Sequence, residues 1–126
     1  MSEFDLIEQI RSAGLAHQPG TVLGIGDDAA VLQVPAGYDL VTCVDTLVAG
    51  VHYPLGTGAD DIGYKALAVN LSDLAAMGAE PRWATLALTL EQHNRVWVDT
   101  FIEGFATAAS SFNVDLIGGD PQPARI

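Results

Sequence analysis

Residues 58 to 78, "GADDIGYKALAVNLSDLAAMG", are rich in Ala and contain no proline and no internal turn cluster. They predict one long helix that stops at Gly78, because glycine accepts the left-handed conformation that ends helices. A carboxylate sits awkwardly in it. On a helix, Val69 and Met77 stack above and below Asp73, with Asn70 and Ala76 beside it, so that face is almost wholly apolar. A charge buried there costs several kcal/mol unless a cation meets it. The nearest basic residues, Lys65 and Arg82, lie about two turns away on either side.

The other elements follow from periodicity. Phe4, Ile7 and Ile10 stand at helical spacing within residues 3–13. "HQPG" (17–20) is a loop, and "TVLGIG", "AAVLQVP" and "DLVTCVDTLVAG" read as three strands separated by turn residues. "RWATLALTL" alternates and reads as a strand with Leu86, Leu88 and Leu90 on one face. Residues 94–111 predict a second long helix carrying Val98, Phe101, Ile102 and Phe105, and "NVDLIGGD" a last strand breaking into a glycine turn. The order α-β-β-β-α-β-α-β gives an α+β or mixed α/β domain, a mixed sheet with helices on one face.

Charge excludes whole classes of function. Sixteen acidic residues against five basic ones give a net charge of −11, a surface that repels nucleic acid and anionic membrane. No apolar run reaches membrane-spanning length, and the amphipathic, acidic start lacks the basic region of a signal peptide. The single Cys43 excludes an internal disulfide, fits a reducing cytoplasm, and in its strand-like run reads as a core residue.

So acidic a chain leaves most carboxylates without a basic partner. Glu3, Asp5, Glu8, Asp39, Asp99 and Glu103 read as solvated surface. Asp27, Asp28, Asp45 and Asp120 differ, because each ends an apolar strand or adjoins a glycine turn. Strand ends are ligand-binding edges in α/β sheets. Gathered there with Asp73, these acids make an oxygen-rich set suited to Mg²⁺. Each alone has a second reading as a turn residue or helix cap.

Two motifs do not hold. "GIGDDA" (24–29) matches G-x-G-x-x-A, but a strand-like "AVLQVP" follows where a dinucleotide fold needs a helix, and no P-loop occurs. The glycines of "LIGGD" serve equally for a tight turn or for main-chain N–H contact with phosphate. His17 and His93 sit in polar loop contexts, and His52, just after the strand bearing Asp45, has both a packing and a site reading.

"GIGDDAAVL", "VDTLVAGVHY", "DIGYKALAVNLSDLAAMGAEPRWATLALTL" and "LIGGD" together resemble the N-terminal half of the thiamine-monophosphate kinase family. That family belongs with aminoimidazole ribonucleotide synthetase, selenophosphate synthetase and the hydrogenase maturation dehydratase. The resemblance covers roughly residues 4 to 120. It implies an aminoimidazole ribonucleotide synthetase N-terminal-like fold that pairs into a barrel-like homodimer. It also implies phosphorylation of thiamine monophosphate to thiamine diphosphate, with ATP as co-substrate and several Mg²⁺ ions.

By resemblance, Asp28, Asp45, Asp73 and Asp120 are metal ligands, with Asp27 second to Asp28. Gly119 and Asp120 lie against ATP, and His52 contacts thiamine monophosphate. No general base is implied, since direct attack of the substrate phosphate on the γ-phosphorus relies on positioning and charge neutralisation. Residues 1–120 are then an ATP- and Mg²⁺-binding N-terminal domain. Residues 121–126, "PQPARI", are a divergent tail, and the C-terminal domain is expected to be absent. Cys43 and Val44 also stand where the family usually has hydroxyl residues. The alternative to a kinase is a non-catalytic Mg²⁺- and nucleotide-binding dimerisation module.

Overall fold

The computed structural model describes residues 18–24, 29–90 and 95–123. The helix expected at 3–13, together with His17, Asp27, Asp28 and His93, lies outside the described residues. Strand β1 (Thr21–Leu23) pairs antiparallel with β2 (Val31–Leu32). Helix α1 (Ala59–Ala76) leads to β3 (Trp83–Leu90), helix α2 (Arg95–Phe112) and β4 (Asp115–Pro123). β3 and β4 run parallel, and α2 is the crossover that parallel strands require.

Both helices end for reasons visible in the sequence. At the end of α1, Gly78 has φ +68, its N–H donates to Ala75 O (3.0 Å), and Ala79 N–H donates to Leu74 O (3.0 Å). That double bond satisfies carbonyls the helix would otherwise leave bare. α2 ends alike, with Asn113 at φ 57 and Val114 N–H donating to Ala109 O (2.9 Å).

The core lies between the helices and the parallel strands. α2 buries Val98, Phe101, Ile102 and Phe105, the positions its periodicity selects, along with Ala108 and Ala109. α1 adds Ile62 and Leu67, β4 adds Leu116 and Ile117, and Val114 just before β4 completes the set. Ala84, Leu86 and Leu88 of β3 pack against them from one face, as the alternation predicts. Gly63 and Gly104 let the helix backbones touch. A methyl group on Gly63 would overlap the carbonyl oxygen of Phe101, and one on Gly104 that of Asp60.

A buried acid locks β4 to β1. Asp115 is 1% exposed, and its Oδ2 accepts from Thr21 Oγ1 (2.6 Å) and Gln18 N–H (3.2 Å). Trp83 Nε1–H in turn donates to Thr21 Oγ1 (2.9 Å), and the Gln18 side-chain amide donates to Asn113 O.

Three expectations change. Residues 39–48 form no strand, and Leu40, Val41, Val44 and Val48 are exposed. A strand is defined by a ladder, and no described segment of this chain lies where it would pair. The glycines of "LIGGD" are no turn. Gly118 pairs with Thr85 and Gly119 with Leu86, because β3 continues beside them, and a one-residue bulge at Ile117 absorbs the register shift. The described strands make two small sheets, β1–β2 and β3–β4, and β4 continues through Pro123 into the tail.

Candidate metal and substrate site

The segment after the β2 hairpin runs along the middle of α1, and there the predicted acids meet. The Asp45 carboxyl is hydrogen-bonded to that of Asp73, which holds Asp45 above its ordinary value. Desolvation and the charge of Asp73 push it the same way, and the nearby His52 opposes them. Two carboxylates this close need a shared proton or a cation between them. The cations that flank them in sequence are engaged elsewhere: Lys65 Nζ donates to His52 O (2.5 Å), and Arg82 pairs with Glu80 (3.4 Å).

Asp73 is exposed, contrary to the expectation of a buried apolar face. In the single chain Val69 and Asn70 are half-buried and Ala76 and Met77 open, because the core lies on the opposite side of α1, at Ile62 and Leu67. Cys43 is likewise exposed rather than core. Its Sγ lies 3.6 Å from both the main-chain O and the Oδ1 of Asn70. Desolvation first, and then the charges of Asp73 and Asp45, push its thiol up, so it is a poor nucleophile.

His52 sits in a tight loop beside this pair. Its Nδ1 accepts from Val48 N–H (2.8 Å), and its own N–H donates to Val48 O (2.9 Å). Gly119 and the Asp120 main chain are placed by β4, opposite Leu86 and Ala87. The Asp120 side chain lies outside the described residues, as do Asp27 and Asp28. The geometry therefore joins Asp45, Asp73 and His52.

Two contributors escaped the sequence reading. Asn70 holds the thiol segment against α1, with its own Nδ2 on Ala66 O (3.0 Å). Its position three residues before Asp73, one step along the same helix face, was the available signal. Lys65 was noticed only as a distant charge, and its use on a main-chain carbonyl has no local signature.

The donor set is hard oxygen plus one imidazole, which fits Mg²⁺ at the carboxylates. The carboxyl–carboxyl contact is the observation behind that fit. Among the described residues no group of three or more His, Cys, Asp or Glu side chains is placed to hold one metal ion, so the described part supplies two carboxylates. Mg²⁺ commonly takes one or two, filling its remaining positions with water and phosphate oxygens. No helix of the described residues is long and apolar enough to cross a membrane.

The thiamine-monophosphate kinase of Escherichia coli K12 is 46% identical over 122 residues, 94% of this chain and 36% of that protein. The Buchnera aphidicola (Acyrthosiphon pisum) thiamine-monophosphate kinase is 42% identical over 119 residues, 94% of this chain and 37% of that protein. A crystal structure of thiamine-monophosphate kinase from Stenotrophomonas maltophilia K279a superposes with TM-score 0.84 at 51% identity, over 98% of this chain and 39% of that one. The chain thus spans little more than a third of the length of the relatives it matches. Residues 26–124 match the model of the AIR synthase related protein, N-terminal domain. The fold and these matches agree: the chain belongs to the AIR synthase related protein family, through its N-terminal domain.

Proposed function

We propose that this chain supplies the N-terminal half of a thiamine-monophosphate kinase, which transfers the γ-phosphoryl group of ATP to thiamine monophosphate and releases ADP and thiamine diphosphate. The observation that carries the reading is the Asp45–Asp73 carboxyl contact beside His52. The stretch matched by thiamine-monophosphate kinases, 94% of this chain, is long enough to span the segments of all three residues. Asp45 and Asp73 hold Mg²⁺, joined by Asp28 and Asp120, with Asp27 beside Asp28. Gly119 and Asp120 lie along ATP, and His52 meets the thiamine monophosphate. Bound Mg²⁺ supplies charge neutralisation for the crowded phosphates.

The protein's own part is positioning. α1 fixes Asp73 and Asn70 on one face, and the Cys43–Asp45 segment packs against that face. The loop 48–53 presents the imidazole next to them. Phosphoryl transfer through a loose transition state asks mainly for such placement, so no general base is assigned. The exposed apolar run at Leu40, Val41, Val44 and Val48 supports a homodimer. The exposed free thiol supports a cytoplasmic setting.

Calorimetric titration with Mg-ATP tests the reading. Binding by the wild-type chain that disappears in Asp73→Asn supports a metal–nucleotide site. Equal binding by both chains removes Asp73 from it. Binding without turnover of thiamine monophosphate favours the non-catalytic binding module, which the exposed apolar run also suits.

A further inference from the structure

We infer that Val48 and Lys65 hold His52 as a fixed hydrogen-bond donor for an anionic oxygen of the substrate rather than as a metal ligand, with Lys65 the positioning residue. The inference rests on the proposed thiamine-monophosphate site and says which chemistry His52 performs there. Nδ1 accepts from Val48 N–H at 2.8 Å. A neutral imidazole whose Nδ1 is an acceptor carries its proton on Nε2, so the remaining nitrogen is a donor. A metal would need that nitrogen stripped of its proton. A phosphate oxygen needs it as it stands.

The loop around the ring is closed on itself. Val51 N–H (3.1 Å) and His52 N–H (2.9 Å) both donate to Val48 O, and Gly50 N–H donates to Tyr53 O (2.8 Å). Tyr53 packs on the core, which anchors the far end of the loop. Lys65 then fastens the loop to α1, its Nζ on the carbonyl of His52 itself at 2.5 Å. The helix that carries Asp73 thereby also sets the height of the imidazole. The labour divides by charge: the Asp45–Asp73 pair faces cations and His52 faces an oxyanion. Lys65, whose Nζ keeps two further donors, reinforces the anionic side.

Proton–nitrogen correlation spectra of the imidazoles in this chain test the inference directly. His52 is expected as the Nε2–H form with an acceptor Nδ1, and the opposite tautomer overturns the proposal. In Lys65→Met the two tautomers should mix, the Val48 amide should lose its hydrogen-bonded shift, and the Kd for thiamine monophosphate should rise about fivefold. Lys65→Arg, which keeps a charged donor, should restore all three. An unchanged spectrum in Lys65→Met overturns the role of Lys65. His52→Ala should weaken thiamine monophosphate but leave phosphate-free thiamine unaffected, and equal losses for both ligands overturn the oxyanion assignment. The two failures stay separate: no thiamine monophosphate bound by any variant sinks the kinase reading, whereas binding indifferent to His52 and Lys65 sinks this one.

Discussion

Asp45 shows how one residue carries both a liability and a use. Its carboxyl sits above the ordinary Asp value of 3.8, chiefly through its hydrogen bond with Asp73. The sign follows from linkage. A folded carboxyl that holds its proton more tightly than the unfolded one contributes stability that is full below the unfolded pKa. That contribution is lost as pH rises from 3.8 through the raised folded value. At neutral pH without metal the pair is therefore destabilising, and Mg²⁺ should restore the loss by mass action. Asp73→Asn should return Asp45 to its ordinary range, raise Tm at pH 7 in metal-free buffer, and abolish the rise that millimolar Mg²⁺ produces in the wild type. Carboxyl titration by NMR and melts with and without Mg²⁺ check all three, and a wild-type Tm blind to Mg²⁺ counts against a metal here. Asp45 and Asp73 were legible in the sequence as acids in apolar settings. The partners of Asn70 and Lys65 were not, because they lie 27 and 13 residues away; Asn70 shares a helix face with Asp73, but its contact with Cys43 has no local signature.

Among the elements, the two helices were the most legible, since burial at 3.6-residue spacing and αL caps are written locally. What the sequence hid was how closely they pack. A glycine within a helix lowers its intrinsic propensity, yet Gly63 and Gly104 each mark a backbone contact. Gly104→Ala improves helix propensity by about 1 kcal/mol, but overlap with the rigid Asp60 carbonyl costs about 3 kcal/mol. The net is a loss of roughly 2 kcal/mol, to be read as a lower urea midpoint at unchanged slope. The packed contact wins over propensity. Asp115 makes the complementary point for the strands. Nothing in the sequence pattern singles it out, yet it is buried and joins β4 to Thr21 and Gln18. Asp115→Ala should cost about 3 kcal/mol, because buried donors lose their acceptor. It should also shift the fluorescence of Trp83, whose Nε1 shares Thr21.

On the scale of the whole molecule, the third strand is the informative mismatch. "DLVTCVDTLVAG" has strand composition, yet in the single chain it pairs with nothing described and exposes Val44 to 87%. Propensity for a strand is a preference for a pleated, half-buried surface, so the pattern is legible while its partner is not. A second copy of this chain, as the proposed homodimer requires, meets that preference from the same sequence. The net charge of −11 opposes such pairing through repulsion, which salt screens within about 10 Å at 0.1 M. Sedimentation equilibrium should then show a monomer of 13.2 kDa in equilibrium with a dimer, the dimer favoured by added salt or Mg²⁺. Val44→Lys removes apolar area and places a charge in the contact, so it should weaken association about tenfold or more. It should leave the monomer's Tm unchanged, because Val44 is 87% exposed in the single chain. A monomer at every concentration and salt would mean that residues 39–48 find their partner elsewhere in a longer protein. Equal association by Val44→Lys would mean that the chain dimerises through another face.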